Sequence, residues 1–448
     1  MALVQPFRAY RYNPAVAPFE RLLTQPYDKI SPARQEEYYR ADPHNLIAVE
    51  KGRSYPEDSP QNNVYTRAAA SLNSWIVQNV IQQDALPSFY AYSQEYTVPG
   101  SSARRTRRGF VGLGKLEDYS AGVIFRHEYT LSGPKADRLE LLRHTRTHTG
   151  QLFMLYSDPE LRIDGILEEV EAGKPPVTEL TDEYAVIHRL RIIAEPGHIA
   201  AIQQAMAPQK LVIADGHHRY ETSLNFRGEA RSRSSELLDE APYEFSMMTF
   251  VNTRGQGLAI LPTHRVVVHL GDFSWSAVRR YLEPWFATEV FPVPAREELP
   301  EARAKFLHRL AEAKPLRAIG VYPATDPGGQ AFYILTLRPE ADLAQILPGL
   351  SRAQRELDVV LLHQGILEPA LGITAHAVAS EAHLAYEREA AAALAAVDGG
   401  AAQIAFLLNP VNIDLVMEVA TSGEAMPQKS TDFYPKLLSG ITMFRMEG

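Results

Sequence analysis

The chain has 448 residues, a formal net charge of −9 and no cysteine. The length exceeds one ordinary hydrophobic core, so two or three subdomains are expected. The missing cysteines exclude disulfides, thiolate metal sites and cysteine nucleophiles, and fit a cytoplasmic location. The acidic balance argues against broad nucleic-acid binding, because phosphate backbones demand a basic surface. No run of about 18 apolar residues predicts a membrane span, and Met1–Arg8 lacks the apolar stretch of a signal peptide.

In chain order, Leu3 to Tyr10 reads as a strand. Ser31 is a helix cap with Pro32 at the first helical position, and the helix runs through Tyr38. Asn45 to Glu50 reads as a strand. Residues 64–84 hold an amphipathic helix with Ala68, Leu72, Trp75 and Ile76 on its apolar side. Phe89 to Tyr96 and Arg107 to Gly114 form a hairpin around Pro99-Gly100. The cluster Arg104, Arg105, Arg107 and Arg108 suits either a phosphate patch or a solvated hairpin tip, and the tip is preferred. A short strand from Gly122 delivers His127 and Glu128 to its end. Lys135, Asp137 and Arg138 open a helix; Lys135 and Arg138 are three apart, close enough to face one anion, and equally Asp137 suits a helix N-terminus on electrostatic grounds alone. Gln151 to Tyr156 is a strand, residues 160–172 a helix, Glu183 to Leu190 a strand arm and 195–207 a helix. Strands and helices thus alternate, which indicates an α/β sheet, mixed α+β in class.

The stretch Lys210-Leu-Val-Ile-Ala-Asp-Gly-His-His-Arg-Tyr-Glu-Thr222 concentrates the chemistry. Leu211 to Ile213 suit a buried strand. Asp215 and Gly216 form a tight turn, and a helix begins at His217 and runs to about Gly228, with Tyr220 and Leu224 on one face. A glycine turn that opens a helix exposes free N–H groups and favours an anion. Gly216, His217 and His218 therefore stand as phosphate-binding candidates, and Arg219 adds a cationic fork. Asp215 could hold a magnesium ion or orient a hydroxyl. An ordinary Asp-Gly turn with a solvated helix start remains the alternative.

Residues 229–242 read as a polar, mobile segment. Phe245 to Val251 is a strand, and Leu258 to Pro262 resumes a sheet before Thr263, His264 and Arg265. That histidine and arginine suit a site and a structural salt link equally. Helices are expected near 274–285, 299–313 and 354–369, and a strand pair around Pro327-Gly328-Gly329. An alanine-rich helix ending at Gly399-Gly400, a strand from Ile404 to Leu408 and a helix from Asp414 to Ala420 follow. In the tail, Lys429, Ser430, Thr431 and Lys436 offer two cations and two hydroxyls. They suit a loop over a phosphate, without the glycine spacing of a P-loop, or else a plain polar C-terminal loop.

Asp-Gly-His-His-Arg resembles the signature of the ParB-like fold in its free serine kinase branch. The wider chain is similar to the bacterial family called domain of unknown function 1015. That similarity includes Gln25-Pro-Tyr-Asp28, His127-Glu-Tyr-Thr130, Pro134-Lys-Ala-Asp-Arg138, Leu261-Pro-Thr-His-Arg265 and Met426-Pro-Gln-Lys-Ser-Thr431. The resemblance implies an N-terminal α/β subdomain over 1–85 and a ParB-like nucleotide-binding core over 86–255. A C-terminal α/β subdomain over 256–448 would carry the tail loop. It implies Glu128 as general base beside His127, Tyr27 and Asp28 near the site, Mg2+ on Asp215, and ATP or ADP as phosphate donor. The implied function is phosphoryl transfer to a small hydroxyl compound such as free serine, with a homodimer left open. Two other classes compete. A metal-dependent hydrolase would use His217 and Glu221, four apart, with His218 and His127, though His-Glu-x-x-His is absent. A nucleotide-gated ParB-like regulatory protein is opposed by the acidic balance.

Overall fold

The computed structural model describes residues 1–128, 134–233, 238–271, 273–326, 328–380 and 382–446, without the side chains at 134, 135, 296 and 379. Thus Tyr129 and Thr130 of the His-Glu motif, Pro327, the side chain of Lys135 and positions 234–237 lie outside the described residues. The chain divides into two compact units. The first holds Met1–Arg126, Thr130–Ala259 and Phe433–Gly448, and the second His127–Tyr129 and Ile260–Asp432.

The first unit is built on a nine-stranded mixed sheet. From edge to edge it runs Ile124–Arg126, Leu211–Asp215, Leu152–Tyr156, Phe245–Asn252, Arg104–Lys115, Phe89–Thr97, Ile187–Ile193 and Thr178–Thr181. Val4–Gln5 also pairs with Arg104–Lys115. Leu211–Asp215 runs parallel to Ile124–Arg126 and antiparallel to Leu152–Tyr156. Strands buried on both faces need unbroken apolar runs, and Leu211, Val212 and Ile213 are all buried. Helices Arg162–Gly173, Pro196–Met206 and His217–Arg233 supply Leu167, Ile202, Met206 and Tyr220 to a core shared with Phe89, Phe110, Met154 and Phe250.

The second unit carries a six-stranded sheet in which each recorded pairing is antiparallel. Its order is Phe286–Pro292, Ala331–Leu337, Ile319–Pro323, Ile404–Leu408, His264–Val267 and Leu384–Glu387. Phe306 and Leu310 of helix Leu299–Glu312, and Leu394 and Val397 of helix Ala390–Asp398, pack on Phe332, Ile334 and Leu407. The mixed α/β architecture expected from the alternating pattern is present.

Several local expectations differ from the structure. Asn45 to Glu50 is not a strand: Ile47–Glu50 is a helical turn. Asn45 Oδ1 accepts from the Ile47 N–H at 2.9 Å, a cap that the short apolar run concealed. Leu3 to Tyr10 is broken after Gln5, because Pro6 cannot donate to a ladder. The arm starting at Glu183 forms a strand only from Ile187, since the Asp182 carboxylate ties the preceding backbone into a turn at Tyr184 and Val186. Helix His217–Arg233 passes through Gly228, with Glu229 paired to Arg143 and Arg233. Helical order thus claims the start of the segment expected to be mobile. The helix expected over 354–369 is segmented, with a π turn at His363–Leu367. Pro369 has no N–H to give back to Gly365, and the helix widens just before it.

Candidate functional site

Two side-chain clusters carry the chemistry, one in each unit. In the first unit, strand Leu211–Asp215 ends at Gly216, whose φ is +91°. A Cβ at Gly216 would stand 3.2 Å from Arg219 Nε and Nη2 and 3.1 Å from Leu152. The glycine thus supplies both the left-handed turn and room for the guanidinium. Arg219 Nη1 donates to the Gln151 carbonyl at 2.6 Å, and Nη2 lies 3.8 Å from Asp215 Oδ2. Lys436 Nζ stands 3.8 Å from Asp215 Oδ1. Burial alone would raise the Asp215 pKa. The fields of Lys436, Arg219 and Lys29 outweigh it and hold the carboxyl well below the usual carboxylate range. Asp215 is therefore ionised, in a strongly cationic setting. His217 is buried and His218 is half-buried, both in the first turn of the helix.

Lys436 reaches Asp215 because the tail backbone is pinned. Arg107, 2% exposed, donates to the Tyr434 and Pro435 carbonyls at 3.2 and 2.5 Å and to Gln94 Oε1 at 3.0 Å. Gln94 Nε2 donates in turn to the Lys436 carbonyl at 2.8 Å. Sequence alone placed Arg107 in a solvated hairpin tip. Of the four, only Arg104 and Arg105 are exposed; Arg105 and Arg107 are two apart and share a face, but Arg107 lies farther along the strand, where the tail covers it. Burial pushes Arg107 down to about 10, against the opposing fields of Tyr96, Tyr92 and Asp215.

Arg138 donates to the Glu50 carbonyl at 2.7 Å, and its guanidinium stands 4.4 Å from the centre of the Tyr27 ring. Burial is the main cause raising Tyr27 to about 12, so its hydroxyl stays protonated at neutral pH. Asp28 lies 3.7 Å from Lys29. Glu50 is 2% exposed and accepts from Thr149 at 2.5 Å and Ser439 at 3.1 Å. Nothing in the sequence pattern singled out Glu50, whose partners lie about a hundred or more positions away.

In the second unit, His127 is fully buried, and its Nε2 is 2.6 Å from Thr431 Oγ1 and 3.8 Å from Glu128 Oε2. The His127 carbonyl accepts from the Met426 N–H at 2.8 Å, so the tail loop lies along the His-Glu segment. In that loop Lys429 takes φ +57°, and the Ser430 hydroxyl bonds the Pro427 carbonyl. Arg265, 0% exposed, donates to His363 Nε2 at 3.1 Å, to the Lys429 carbonyl at 3.1 Å and to the Thr263 carbonyl. Its guanidinium is 5.3 Å from the Tyr386 ring centre. Arg265 is thus met by carbonyl and imidazole acceptors, with the Glu128 charge as a further field upon it. The tail candidates divide: Lys429, Ser430 and Thr431 gather beside His127 and Arg265, while Lys436 serves Asp215.

The second unit should weaken in acid. Burial, reinforced by Arg265, pushes His363 down to about 3 and His264 to about 4. An unfolded imidazole titrates near ~6.5, so below that the unfolded chain binds protons that the folded one refuses. Stability is complete above about pH 6.5 and falls as pH drops toward the folded values, by up to about 1.4 kcal/mol per pH unit for each histidine. Urea midpoints at pH 7, 6 and 5 check this, with His363→Gln expected to flatten the slope. A flat parent profile would contradict it.

Among the described residues, no group of three or more His, Asp or Glu side chains is arranged to hold a metal ion, and no helix is long and apolar enough to cross a membrane. Similar solved structures include a free serine kinase variant in complex with AMP, 10% identical, covering 72% of this chain and 88% of that one, with a TM-score of 0.35. A conserved hypothetical protein from Pyrococcus furiosus is 13% identical over 69% of this chain and 87% of that one, with a TM-score of 0.31. SbnI from Staphylococcus aureus is 10% identical over 73% and 85%, with a TM-score of 0.33. Likeness at this level assigns no chemistry. No curated protein matches the chain. The family model described as "Protein of unknown function (DUF1015)" matches residues 4–360, and the chain belongs to that family.

Proposed function

We propose that the protein is a nucleotide-dependent small-molecule kinase, moving a phosphoryl group from ATP or ADP to the hydroxyl of a small alcohol, with free serine as the first candidate. The observation that carries this reading is the Asp215 turn. An ionised carboxylate sits at a strand end, at the start of a helix, with Arg219 and Lys436 converging on it. Phosphoryl transfer needs positioning and charge neutralisation more than covalent chemistry. Arg219, Lys436 and the amides from Gly216 to His218 suit phosphate oxygens. Mg2+ is commonly held by one or two carboxylates together with substrate phosphates. Asp215 fits that donor set as a single ligand, and the ion would neutralise phosphate charge there. Glu128 takes the proton from the acceptor hydroxyl, and His127, anchored by Thr431, orients it. Lys135, Arg138, Lys429 and Ser430 are assigned to phosphate contacts.

The test is direct. The protein is incubated with magnesium, ATP or ADP and a panel of hydroxyl compounds including serine, and phosphate transfer is followed. Transfer to at least one acceptor is expected. Nucleotide binding without any transfer would favour a nucleotide-gated binding protein. Tightly held zinc without nucleotide binding would favour a hydrolase.

A further inference from the structure

The first unit contains a small pocket of about 50 Å3 in which Leu141, Leu142 and Leu152 stand beside polar groups, and which shares Arg138 and Arg219 with the proposed phosphate contacts. Its lining includes Arg138, Arg219, Thr222, Ser223, His148 and Glu50. Two features of that lining call for a ligand. Thr222 is 3% exposed, and its hydroxyl has no hydrogen-bond partner among the described residues. The Nε of Arg219 is also buried without a partner, although Nη1 of the same guanidinium is bonded to the Gln151 carbonyl. Buried polar groups are normally satisfied, so an unbonded hydroxyl and an unbonded guanidinium N–H at one cavity mark a place for an acceptor. A cavity of this size admits about four water-sized spheres, at ~10–15 Å3 each. That is the size of a carboxylate or phosphate group.

Among the described residues, two cations line the pocket. Arg138 and Arg219 are both largely buried, and each has a carboxylate beside it that is not part of the lining: Asp137, 2.6 Å from Arg138 Nη2, and Asp215, 3.8 Å from Arg219 Nη2, which leaves Nε of Arg219 without an acceptor. His148 is neutral, pushed down to about 4 by burial and by the neighbouring Arg219. Its Nδ1 lies 3.3 Å from the Ser246 hydroxyl. Among the described residues of the lining Glu50 is the one carboxylate, and each of its oxygens already accepts a hydroxyl hydrogen bond.

We propose that this cavity binds one small oxyanion, a phosphate or carboxylate group, ligated by the Arg138 and Arg219 guanidiniums and the Thr222 hydroxyl. The site rests on the kinase reading in taking Arg138 and Arg219 as phosphate contacts and adds Thr222 to them; anion binding is read without nucleotide or acceptor, so its failure is distinct from a failure of phosphate transfer.

Thermal unfolding of the full chain is followed against inorganic phosphate, acetate and chloride at matched ionic strength, without nucleotide. A saturable rise in midpoint with phosphate or acetate, absent with chloride, is expected. Thr222→Val is expected to weaken that anion roughly three- to tenfold, the scale of one hydrogen bond, while raising the ligand-free midpoint, because an unbonded buried hydroxyl is removed. Arg138→Gln is expected to weaken it by tenfold or more, on the order of a charge-assisted bond. Displacement of phosphate by ADP identifies the ligand as the end of a nucleotide, and additive shifts identify a free ion; either result supports the site. Equal shifts with chloride, or affinities unchanged in Thr222→Val and in a folded Arg138→Gln, overturn the proposal.

Discussion

Glu128→Gln and Asp215→Asn are each expected to abolish phosphate transfer while the protein stays folded. The two substitutions act on different requirements. Glutamine at 128 keeps the size of the side chain but cannot accept a proton, and a positioned general base contributes about 10²–10⁴-fold. Nucleotide affinity should therefore be unchanged in that variant. Asparagine at 215 removes the negative charge on which Lys436 and Arg219 converge. It also removes the one carboxylate assigned to magnesium. Asp215→Asn should consequently lose metal dependence along with turnover, by about 10²–10³-fold or more, the scale seen when a single electrostatic contact to the reacting group is lost. Rates measured in single turnover, with nucleotide binding followed separately, check both. Full rates in both variants would end the assignment of roles.

Arg265→Met is the larger structural test. Burial pushes Arg265 down to about 10, a cost on the order of 3 kcal/mol that methionine would recover. Against that, His363 Nε2 and the carbonyls of Thr263 and Lys429 would lose their donor, at about 1–3 kcal/mol each. The orphaned acceptors outweigh the recovered cost, and a net loss of about 2–3 kcal/mol is expected. Urea unfolding with an unchanged m-value measures it. The loop at Lys429 should also become more sensitive to trypsin, since Arg265 holds its carbonyl. A variant as stable as the parent would show that the guanidinium is only tolerated.

Much of this molecule was determined by the sequence itself, wherever the cause is local. The run Leu211 to Ile213, the turn at Gly216 and the helix from His217 follow from apolar patterning and backbone freedom within a dozen residues. Ser31 caps its helix on the Arg34 N–H as its spacing requires. The strand Ile404–Leu408 and helix Ile413–Thr421 obey the same short-range rules. Tertiary structure decided what depends on partners distant in sequence. Arg107 faces inward to hold a tail that is 327 and 328 positions away. Arg265 donates to His363, 98 positions away, and the tail sends Thr431 to His127 but Lys436 to Asp215. A buried charge and the group that compensates it have no periodic relation along the chain. Only folding shows which polar residues were placed to hold backbone and which to meet a ligand.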